Sequence, residues 1–371
     1  QMCIRDRLRE HLLVDLHAYL LEIVRAAVLA GAESVSLGHD ADDVYVRFAP
    51  DPCSPEEVER LLDYALAYDD DTHGRCLRLL AIGVTAALGL RPWFVDVYLA
   101  AESGVPIRYR YDPNTLQAPD EDAPLCERTD GVMPPDGVDV DGICIHVRRR
   151  PGWDTLKRAV TRAAPPEIEL LRLTTYELPI AILLHDRPID RPPRPRALVR
   201  YTEHKPWRVK VELLEGDTRS HTAFLESGIR LAAHAFNPWT IWHPAGVSVR
   251  TVIDAPDLPT NASRSAVRLE DESVVAATRV LDRALWSCVV GLASYVTDGD
   301  ALGAEIVDPE AGGHREMLGR IVGAMLRAAR TNERRADRAR ELLSVPMLRS
   351  ATGQSLAPEQ LLPILAEHGE I

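Results

Sequence analysis

Arg264 is the residue whose surroundings in the sequence most suggest chemistry. It lies in the stretch DAPDLPTNASRSAV, residues 254–267, after a predicted buried strand that ends at Ile253 and before a predicted amphipathic helix of roughly twenty residues. Asn261 or Ser263 is expected to cap this helix, because either side chain can accept hydrogen bonds from the first free N–H groups. On this prediction Arg264 lies at the positive end of the helix.

A cation at a helix N-terminus is unfavourable by about 0.3–1 kcal/mol unless an anion binds at the same place. A phosphate would supply that anion, which makes Arg264 a candidate phosphate-binding residue. In the alternative interpretation Arg264 is a solvated surface residue that Glu270 and Asp271 neutralise. The local physics leaves both interpretations open.

The pattern Asp-Leu-Pro-x-Asn-x-Ser-Arg, residues 257–264, resembles the middle-domain signature of the heat-shock-protein-ninety chaperone family. In that family the arginine reaches the terminal phosphate of ATP, which is held by a preceding domain of the GHKL ATPase superfamily. The resemblance implies that Arg264 is catalytic and that the other matched residues form the structural motif. Those residues are Asp257, Pro259, Asn261 and Ser263.

The resemblance also implies a nucleotide helix that carries a glutamate, an asparagine four residues later and an aspartate three residues beyond. This spacing places all three on one face, where the glutamate orients water and the asparagine holds Mg²⁺. The helix LLEIVRAAVLAGA, residues 20–32, keeps the glutamate as Glu22 but has Ala26 and Leu29 at the other two positions. Glu22 is therefore a candidate general base. Alternatively, it is a surface glutamate beside Arg25.

The remaining nucleotide motifs are similarly reduced. Phe48 stands where the family has the aspartate that binds adenine, and Ile143 stands where it has a threonine. The residues assigned to nucleotide binding are Ala26, Asp51, Gly83, Thr85 and Gly142. An unsatisfied adenine amine costs about 1–3 kcal/mol, and a triphosphate without its Mg²⁺ ligand loses the neutralising metal. Together these losses weaken affinity by roughly a hundredfold or more.

Composition excludes several classes of function. The 371 residues suffice for two or three domains, and the net charge of -13 argues against nucleic-acid binding. None of the six cysteines forms a C-x-x-C pair, so no zinc or other metal site is predicted. No apolar run approaches the ~18 residues that span a bilayer. We therefore expect no membrane partner and a cytoplasmic location, and residues 1–7 are left out of the fold argument.

The predicted fold class is α+β. Residues 8–186 are expected to form a GHKL (Bergerat-type) two-layer α/β sandwich, and the proline-rich residues 187–196 a linker. Residues 197–298 are expected to form a middle domain of the heat-shock-protein-ninety and ribosomal-S5-like kind. Residues 299–371 are expected to form a helical tail that ends in strand, turn, strand and helix. This tail is too short for the family's C-terminal dimerisation domain, so the oligomeric state stays open, as does whether the chain is a portion of a longer protein.

Three functions are consistent with these features. The first is a heat-shock-protein-ninety-like chaperone ATPase, for which ATP and Mg²⁺ are the implied cofactors and client proteins the partners. The second is a catalytically inactive pseudo-ATPase that serves as a protein-interaction scaffold, in which Glu22→Ala should be silent. The third is another GHKL enzyme, such as a histidine kinase or a type II topoisomerase. It is ranked last because no phospho-acceptor helix is predicted before the domain and because the net negative charge opposes DNA binding.

Overall fold

The structure is a computed structural model. It describes residues 13, 15–50, 53–67, 71–100, 105–114, 125–134, 142–161, 163–205, 207–216, 220–234, 244–255, 258–261, 267–310, 312–331, 343–346 and 348–368. The chain divides into two compact units. The first comprises Gln1–Pro192, Glu226–Ile229 and Thr260–Ala266, and the second comprises Pro193–Leu225, Arg230–Pro259 and Val267–Ile371.

The first unit is built on a mixed sheet whose strand order is β5-β4-β3-β6-β2-β1-β7-β8. Its strands are β1 (Ser34–His39), β2 (Asp43–Phe48), β3 (Phe94–Leu99), β4 (Ile107–Tyr111), β5 (Glu127–Asp130), β6 (Ile143–Arg148), β7 (Ala181–Leu184) and β8 (Arg187–Pro188). Neighbouring strands pair antiparallel except β1 and β7, which pair in parallel. The end of β2 therefore lies beside the start of β6.

Helices cover one face of this sheet. They are α1 (Tyr19–Leu29), α2 (Pro55–Glu59), α3 (Thr72–Gly89), α4 (Trp153–Thr161) and α5 (Pro166–Thr174). Side chains alternate along each strand, so Val46 and Phe48 of β2 join the core of this unit. The helices α1 and α3 contribute most of the apolar side chains that these strands pack against. The result is a two-layer arrangement of helices on a sheet.

The opposite face of the same strands is polar. Asp43 is 2% exposed and accepts hydrogen bonds from His146 Nε2 at 2.5 Å and from Arg148 Nη1 at 2.6 Å. The imidazole of His146 also stacks on the ring of Tyr45, with 4.5 Å between centroids. Buried polar groups need such partners, and each of these residues is supplied by a neighbouring strand.

The second unit has a sheet in the order β12-β11-β13-β10-β9-β14 and a small pair, β15 with β16. Its elements are β9 (Ala197–Glu203), β10 (Arg208–Glu215), β11 (His221–Glu226), β12 (Ile229–His234), β13 (Val247–Asp254), α6 (Glu272–Asp298), β14 (Glu305–Ile306), α7 (His314–Thr331), β15 (Leu348–Arg349), β16 (Ser355–Leu356) and α8 (Leu362–His368). Helices α6 and α7 share one apolar core with β9, β10 and β13.

A buried carboxylate organises the other face of that sheet. Glu212 is 1% exposed, and its oxygens accept hydrogen bonds from Arg200 Nε at 2.9 Å and Arg250 Nε at 2.6 Å. Burial alone raises the pKa of a carboxyl group, but Lys210, Arg250 and Arg200 outweigh it and lower the pKa of Glu212 to about 2.

Most elements of the first unit lie where the sequence predicts them, and the architecture of two sheets with helices agrees with the predicted α+β class. The predicted strand-turn-strand before the last helix is also present, as β15 and β16. Strands β5 and β8 and helix α5 were not predicted, and β8 lies within the proline-rich residues 187–196 that were expected to form a linker.

The predicted start of the long helix is wrong. Helix α6 begins at Glu272, and its N-cap is Asp271, whose carboxylate accepts a hydrogen bond from Ser273 N at 3.0 Å. Neither Asn261 nor Ser263 is therefore the cap, and Arg264 lies eight residues before the first helical residue rather than at the positive end of the helix. The dipole argument for an anion at Arg264 consequently fails.

We expect Glu212→Gln to destabilise the protein by about 3–5 kcal/mol at neutral pH, because it leaves the buried Arg250 guanidinium without its carboxylate partner. The folded-state pKa lies below the ordinary value of 4.5, so the carboxylate stabilises the fold above about pH 4.5. The advantage of the wild type should shrink as the pH falls toward about 2. Urea unfolding of both proteins between pH 7 and pH 3 measures this difference in stability. A difference that grows on acidification would contradict the stabilising role of the Glu212 carboxylate.

Candidate functional site

Glu22 lies in the first turn of α1, a helix that is buried on nearly all sides. The side chain of Glu22 is 2% exposed, as is that of Arg25 one turn later. Arg25 Nη1 donates a hydrogen bond to Glu22 Oε1. Arg25 Nε also lies 4.0 Å from Glu226 Oε2, in a segment that belongs to the same unit. The arginine is thus held between two carboxylates.

This arrangement corrects the interpretation of Glu22 as a surface residue, because the carboxylate is buried. It also argues against the general-base role, since a base must reach a water that attacks the substrate. Here one carboxylate oxygen is engaged by a guanidinium on the same helix. A buried ion pair of this kind is costly to break from either side. Glu22→Ala should therefore destabilise the protein, whereas the sequence-based scaffold interpretation expected this substitution to be silent.

Ala26 stands where the family carries its Mg²⁺-binding asparagine, and it is fully buried. The carbonyl oxygen of Ala26 accepts a hydrogen bond from Cys76 Sγ of helix α3 at 3.2 Å. Burial raises the pKa of the Cys76 thiol to about 12, so the group remains a neutral donor at physiological pH. Helix α3 therefore contacts α1 directly at the position that the resemblance assigns to the metal ligand.

Gly83 lies at a close crossing of the same two helices. A Cβ atom at this position would be 2.7 Å from Ile23 Cγ1 and 3.1 Å from the carbonyl oxygen of Tyr19. Both distances are shorter than ordinary van der Waals contacts between carbon atoms and their neighbours. Gly83 is thus a helix-packing glycine, which is a sufficient reason for glycine here without any nucleotide.

Gly142 precedes β6 and has a positive φ of +96°. A Cβ atom there would lie 2.4 Å from the carbonyl oxygen of Phe48 and 2.9 Å from Ala49 Cα. Both the backbone conformation and the close approach to the end of β2 require glycine. Ile143 follows it and is 1% exposed.

A cavity of about 480 Å³ opens beside the C-terminal end of α1. Its wall is formed by Leu29, at the end of α1, and by Ala30, which follows it. The segment before α2 contributes Cys53 and Ser54, and α3 contributes Thr72, His73 and Cys76. At 1.5 Å per residue, Gly83 lies about 10 Å and Thr85 about 13 Å further along α3 than Cys76. Of the nucleotide-binding assignments that the structure describes, Ala26, Gly83, Thr85 and Gly142, none lines the cavity.

The mouth of this cavity carries one polar pair. His73 Nε2 lies 2.7 Å from Glu57 Oε1, and Glu57 also forms a capping box with Ser54 at the start of α2. The contact with His73 and the hydrogen bonds from Ser54 lower the pKa of Glu57, although burial opposes them. The described lining is otherwise apolar or made of small hydroxyl and thiol side chains.

Several assigned residues fall outside the described part of the chain. These are Asp51, Asp257, Ser263 and Arg264. Pro259 and Asn261 are described, and the carbonyl of Pro259 accepts a hydrogen bond from Arg268 N at 2.8 Å. Thr85 is 7% exposed and its hydroxyl has no hydrogen-bond partner among the described residues.

An acidic turn between β1 and β2 brings the carboxylates of Asp40, Asp42 and Asp43 within 4.8 Å of one another. Asp40 Oδ1 accepts hydrogen bonds from the N–H groups of Asp42 at 3.0 Å and Asp43 at 2.8 Å. Both oxygens of Asp43 are engaged by His146 and Arg148. These contacts account for the acidic residues as a turn, without a metal.

No protein-family model matches the sequence, and the search of characterised proteins finds no match. Among solved structures, the B subunit of DNA gyrase from Myxococcus xanthus is similar with a TM-score of 0.50 and 11% sequence identity. The match covers 85% of this chain and 99% of that chain. The fold of this chain therefore resembles that of the gyrase subunit. At this identity the likeness shows the fold alone.

The sequence resemblance of residues 20–32 to the nucleotide helix implies ATP and Mg²⁺, and the described residues do not fit that pair of ligands. The asparagine position is an alanine whose carbonyl is bound by a thiol, and the glutamate is bound by Arg25. Mg²⁺ in nucleotide sites needs oxygen ligands from carboxylates or phosphates.

Among the described residues no helix is long and apolar enough to cross a membrane.

Sequence reasoning missed the partners that close this site. Arg25 follows Glu22 by three residues, a spacing that allows an ion pair on one helix face, but nothing in the sequence marked the pair as buried. Cys53 and Cys76 were considered only as components of a C-x-x-C pair. The helical phase of α3 places Cys76 and Gly83 seven residues apart on one face, which is the available signal that both meet α1.

Gly83→Ala should destabilise the protein by about 1–3 kcal/mol, because the added methyl overpacks the crossing of α1 and α3. The matched control is Gly319→Ala in α7, where a Cβ atom meets nothing within 4 Å. That control should be neutral or stabilise by about 0.5–1 kcal/mol through helix propensity. Urea unfolding measures both, and equal effects of the two substitutions would refute the packing role of Gly83.

Arg25→Met alone should destabilise by about 3–5 kcal/mol, because it leaves the Glu22 carboxylate buried without a counter-charge. The double variant Glu22→Leu with Arg25→Met should recover most of that loss. Glu169→Gln, which breaks a more exposed pair with Arg172, should change stability by less than about 1 kcal/mol. The comparison uses thermal and urea unfolding, and a double variant no more stable than Arg25→Met would argue against the pair.

Proposed function

We propose that the chain is a GHKL-fold protein that no longer hydrolyses ATP and that acts as a chaperone-like protein-interaction scaffold. The observation that carries the proposal is the state of α1. Its one family-like acid, Glu22, is bound by Arg25, and the carbonyl of Ala26 is bound by the Cys76 thiol. The helix that should present catalytic groups to a ligand is instead used for internal packing.

The chemistry of hydrolysis supports this proposal. Phosphoryl transfer depends on positioning and on charge stabilisation by the metal and surrounding cations. A chain with Ala26 at the asparagine position lacks the side-chain oxygen that would hold the metal at that point. The guanidinium of Arg25 occupies Oε1 of Glu22, so that oxygen is engaged inside the fold rather than directed at an attacking water. Each change removes a different requirement of the reaction.

The chaperone-like part of the proposal is supported by the pattern of residues 257–264, which resembles the middle-domain signature of the heat-shock-protein-ninety family. That family's middle domain has a ribosomal-S5-like arrangement of sheet and helices. The second unit likewise packs two long helices on a mixed sheet, within one core. Client or partner proteins are accordingly the proposed ligands, and a cytoplasmic location accompanies the proposal.

A second candidate function is nucleotide binding without hydrolysis. The cavity of about 480 Å³ beside the end of α1 favours it. Sites for small molecules and cofactors usually measure roughly 300–1,000 Å³. The cavity is lined in part by Cys53 and Ser54, in the segment after β2 that the resemblance aligns with the family's adenine-binding strand and turn.

Titration calorimetry with 1 mM Mg-ATP should show no binding heat, and phosphate release should not exceed the buffer control. The protein should nevertheless suppress aggregation of a thermally unfolding test protein, equally with and without ATP. Heat without phosphate release, abolished by the cavity-filling variant Ala30→Phe, would select the second candidate. Hydrolysis that Arg264→Ala slows while affinity stays nearly unchanged would overturn the proposal in favour of a chaperone ATPase.

A further inference from the structure

Helix α4 is oriented with its apolar side chains toward solvent. Trp153, Leu156 and Val160 are 80%, 54% and 77% exposed, and their spacing of three and four residues aligns them along one ridge. The opposite side of the helix carries Thr155, which is 9% exposed. A surface helix of a globular protein normally buries its apolar stripe and exposes its polar residues. This helix does the reverse.

The ridge is accompanied by positive charge. Residues 148–162 contain six cations and one acid, although the whole chain carries a net charge of -13. Two of the cations are used inside the fold, since Arg148 pairs with Asp43 and Arg149 pairs with Glu167. Arg150 and Lys157 remain exposed beside the ridge. A local basic segment in an acidic protein selects an anionic surface.

A second exposed tryptophan adjoins the same segment. Trp93 is 56% exposed, and its backbone N–H donates to the carbonyl of Arg148 at 2.7 Å. The guanidinium of Arg150 lies over the indole ring of Trp93, 5.9 Å from its centroid. Arg150 in turn precedes Trp153 by three residues. The structure thus displays two indole rings and two cations around one short helix.

These properties favour a lipid surface over a protein groove. Amphipathic helices that lie on membranes carry Trp and aliphatic residues on one side and Lys or Arg beside them. Tryptophan prefers the headgroup level, where its ring is buried and its N–H stays hydrated. A convex ridge meets a planar bilayer without a matching groove. The sequence-based expectation of no membrane partner considered only spanning segments, and a helix lying on the surface spans nothing.

We infer that α4, with Trp153, Leu156 and Val160 inserted and Arg150 and Lys157 at the headgroups, docks this protein on an anionic membrane surface. The inference does not depend on the proposed scaffold function. Its ligand chemistry is a bilayer that carries net negative headgroups, since the cations beside the ridge supply the electrostatic part of the attraction.

The test is co-flotation of the full chain with vesicles of phosphatidylglycerol and phosphatidylcholine in equal amounts, against vesicles of phosphatidylcholine alone. The wild type should float with the anionic vesicles and much less with the neutral ones. Raising the salt concentration should weaken binding, because it screens the cations. Leu156→Ser combined with Val160→Ser should weaken binding about tenfold or more, because two inserted apolar side chains are lost.

Two further variants make the test specific. Lys157→Glu should reduce binding to anionic vesicles and weaken its salt dependence, because only Arg150 then remains of the two cations at the headgroups. The matched control is Leu66→Ser, which replaces a similarly exposed leucine (58%) on another element and should leave binding unchanged. Far-ultraviolet circular dichroism and thermal unfolding verify that each variant keeps the wild-type fold, as expected for substitutions at exposed positions.

Two results would overturn the inference. The first is a wild type that does not float with anionic vesicles, or floats equally after Leu156→Ser with Val160→Ser. The second is concentration-dependent self-association in sedimentation equilibrium that the same double variant abolishes, without any vesicle binding. That outcome would assign the ridge to a second copy of this chain.

Discussion

The close contact between α1 and α3 is the constraint on which the site of the first unit depends. The two helices approach so closely at Gly83 that a Cβ atom would lie 2.7 Å from Ile23 Cγ1. Further along the same crossing, the Cys76 thiol reaches the backbone of Ala26. The space beside Ala26, the position that the resemblance assigns to the metal ligand, is occupied by the protein itself. The open cavity lies instead beside Leu29 and Ala30, at the C-terminal end of α1.

The ion pair of Glu22 and Arg25 follows from that packing. With apolar contacts on every side, α1 has no solvated face for a glutamate, and an isolated buried carboxylate would be strongly unfavourable. Arg25 supplies the counter-charge from the next turn, and Glu226 adds a second acid near the guanidinium. The residue that most resembles a catalytic group is thus explained by the electrostatics of folding, and the proposal of a scaffold rests on that explanation.

Periodicity predicted the strands and most helices of the first unit because their apolar residues alternate or recur as a two-layer fold requires. It placed the start of α6 wrongly, although Asp271 followed by Glu272 is itself an N-cap signal, because the prolines and Asn261 gave an earlier and equally plausible start. The burial of Glu22 could not be predicted, since it depends on α3 and on residues far along the chain. The exposure of Trp153 was equally unpredictable, because an apolar stripe indicates burial in almost every soluble helix.

The thiol of Cys76 has a consequence for the reactivity of the cavity wall. Because burial raises the pKa of this thiol to about 12, it is almost wholly protonated at neutral pH. The thiolate is the form that attacks electrophiles and is oxidised. An alkylating or oxidising reagent that entered the cavity would therefore meet a sulfur almost fully protonated and committed to the Ala26 carbonyl. This cysteine is chemically quiet, and the helix crossing that it stabilises should persist under oxidative conditions that modify ordinary exposed thiols.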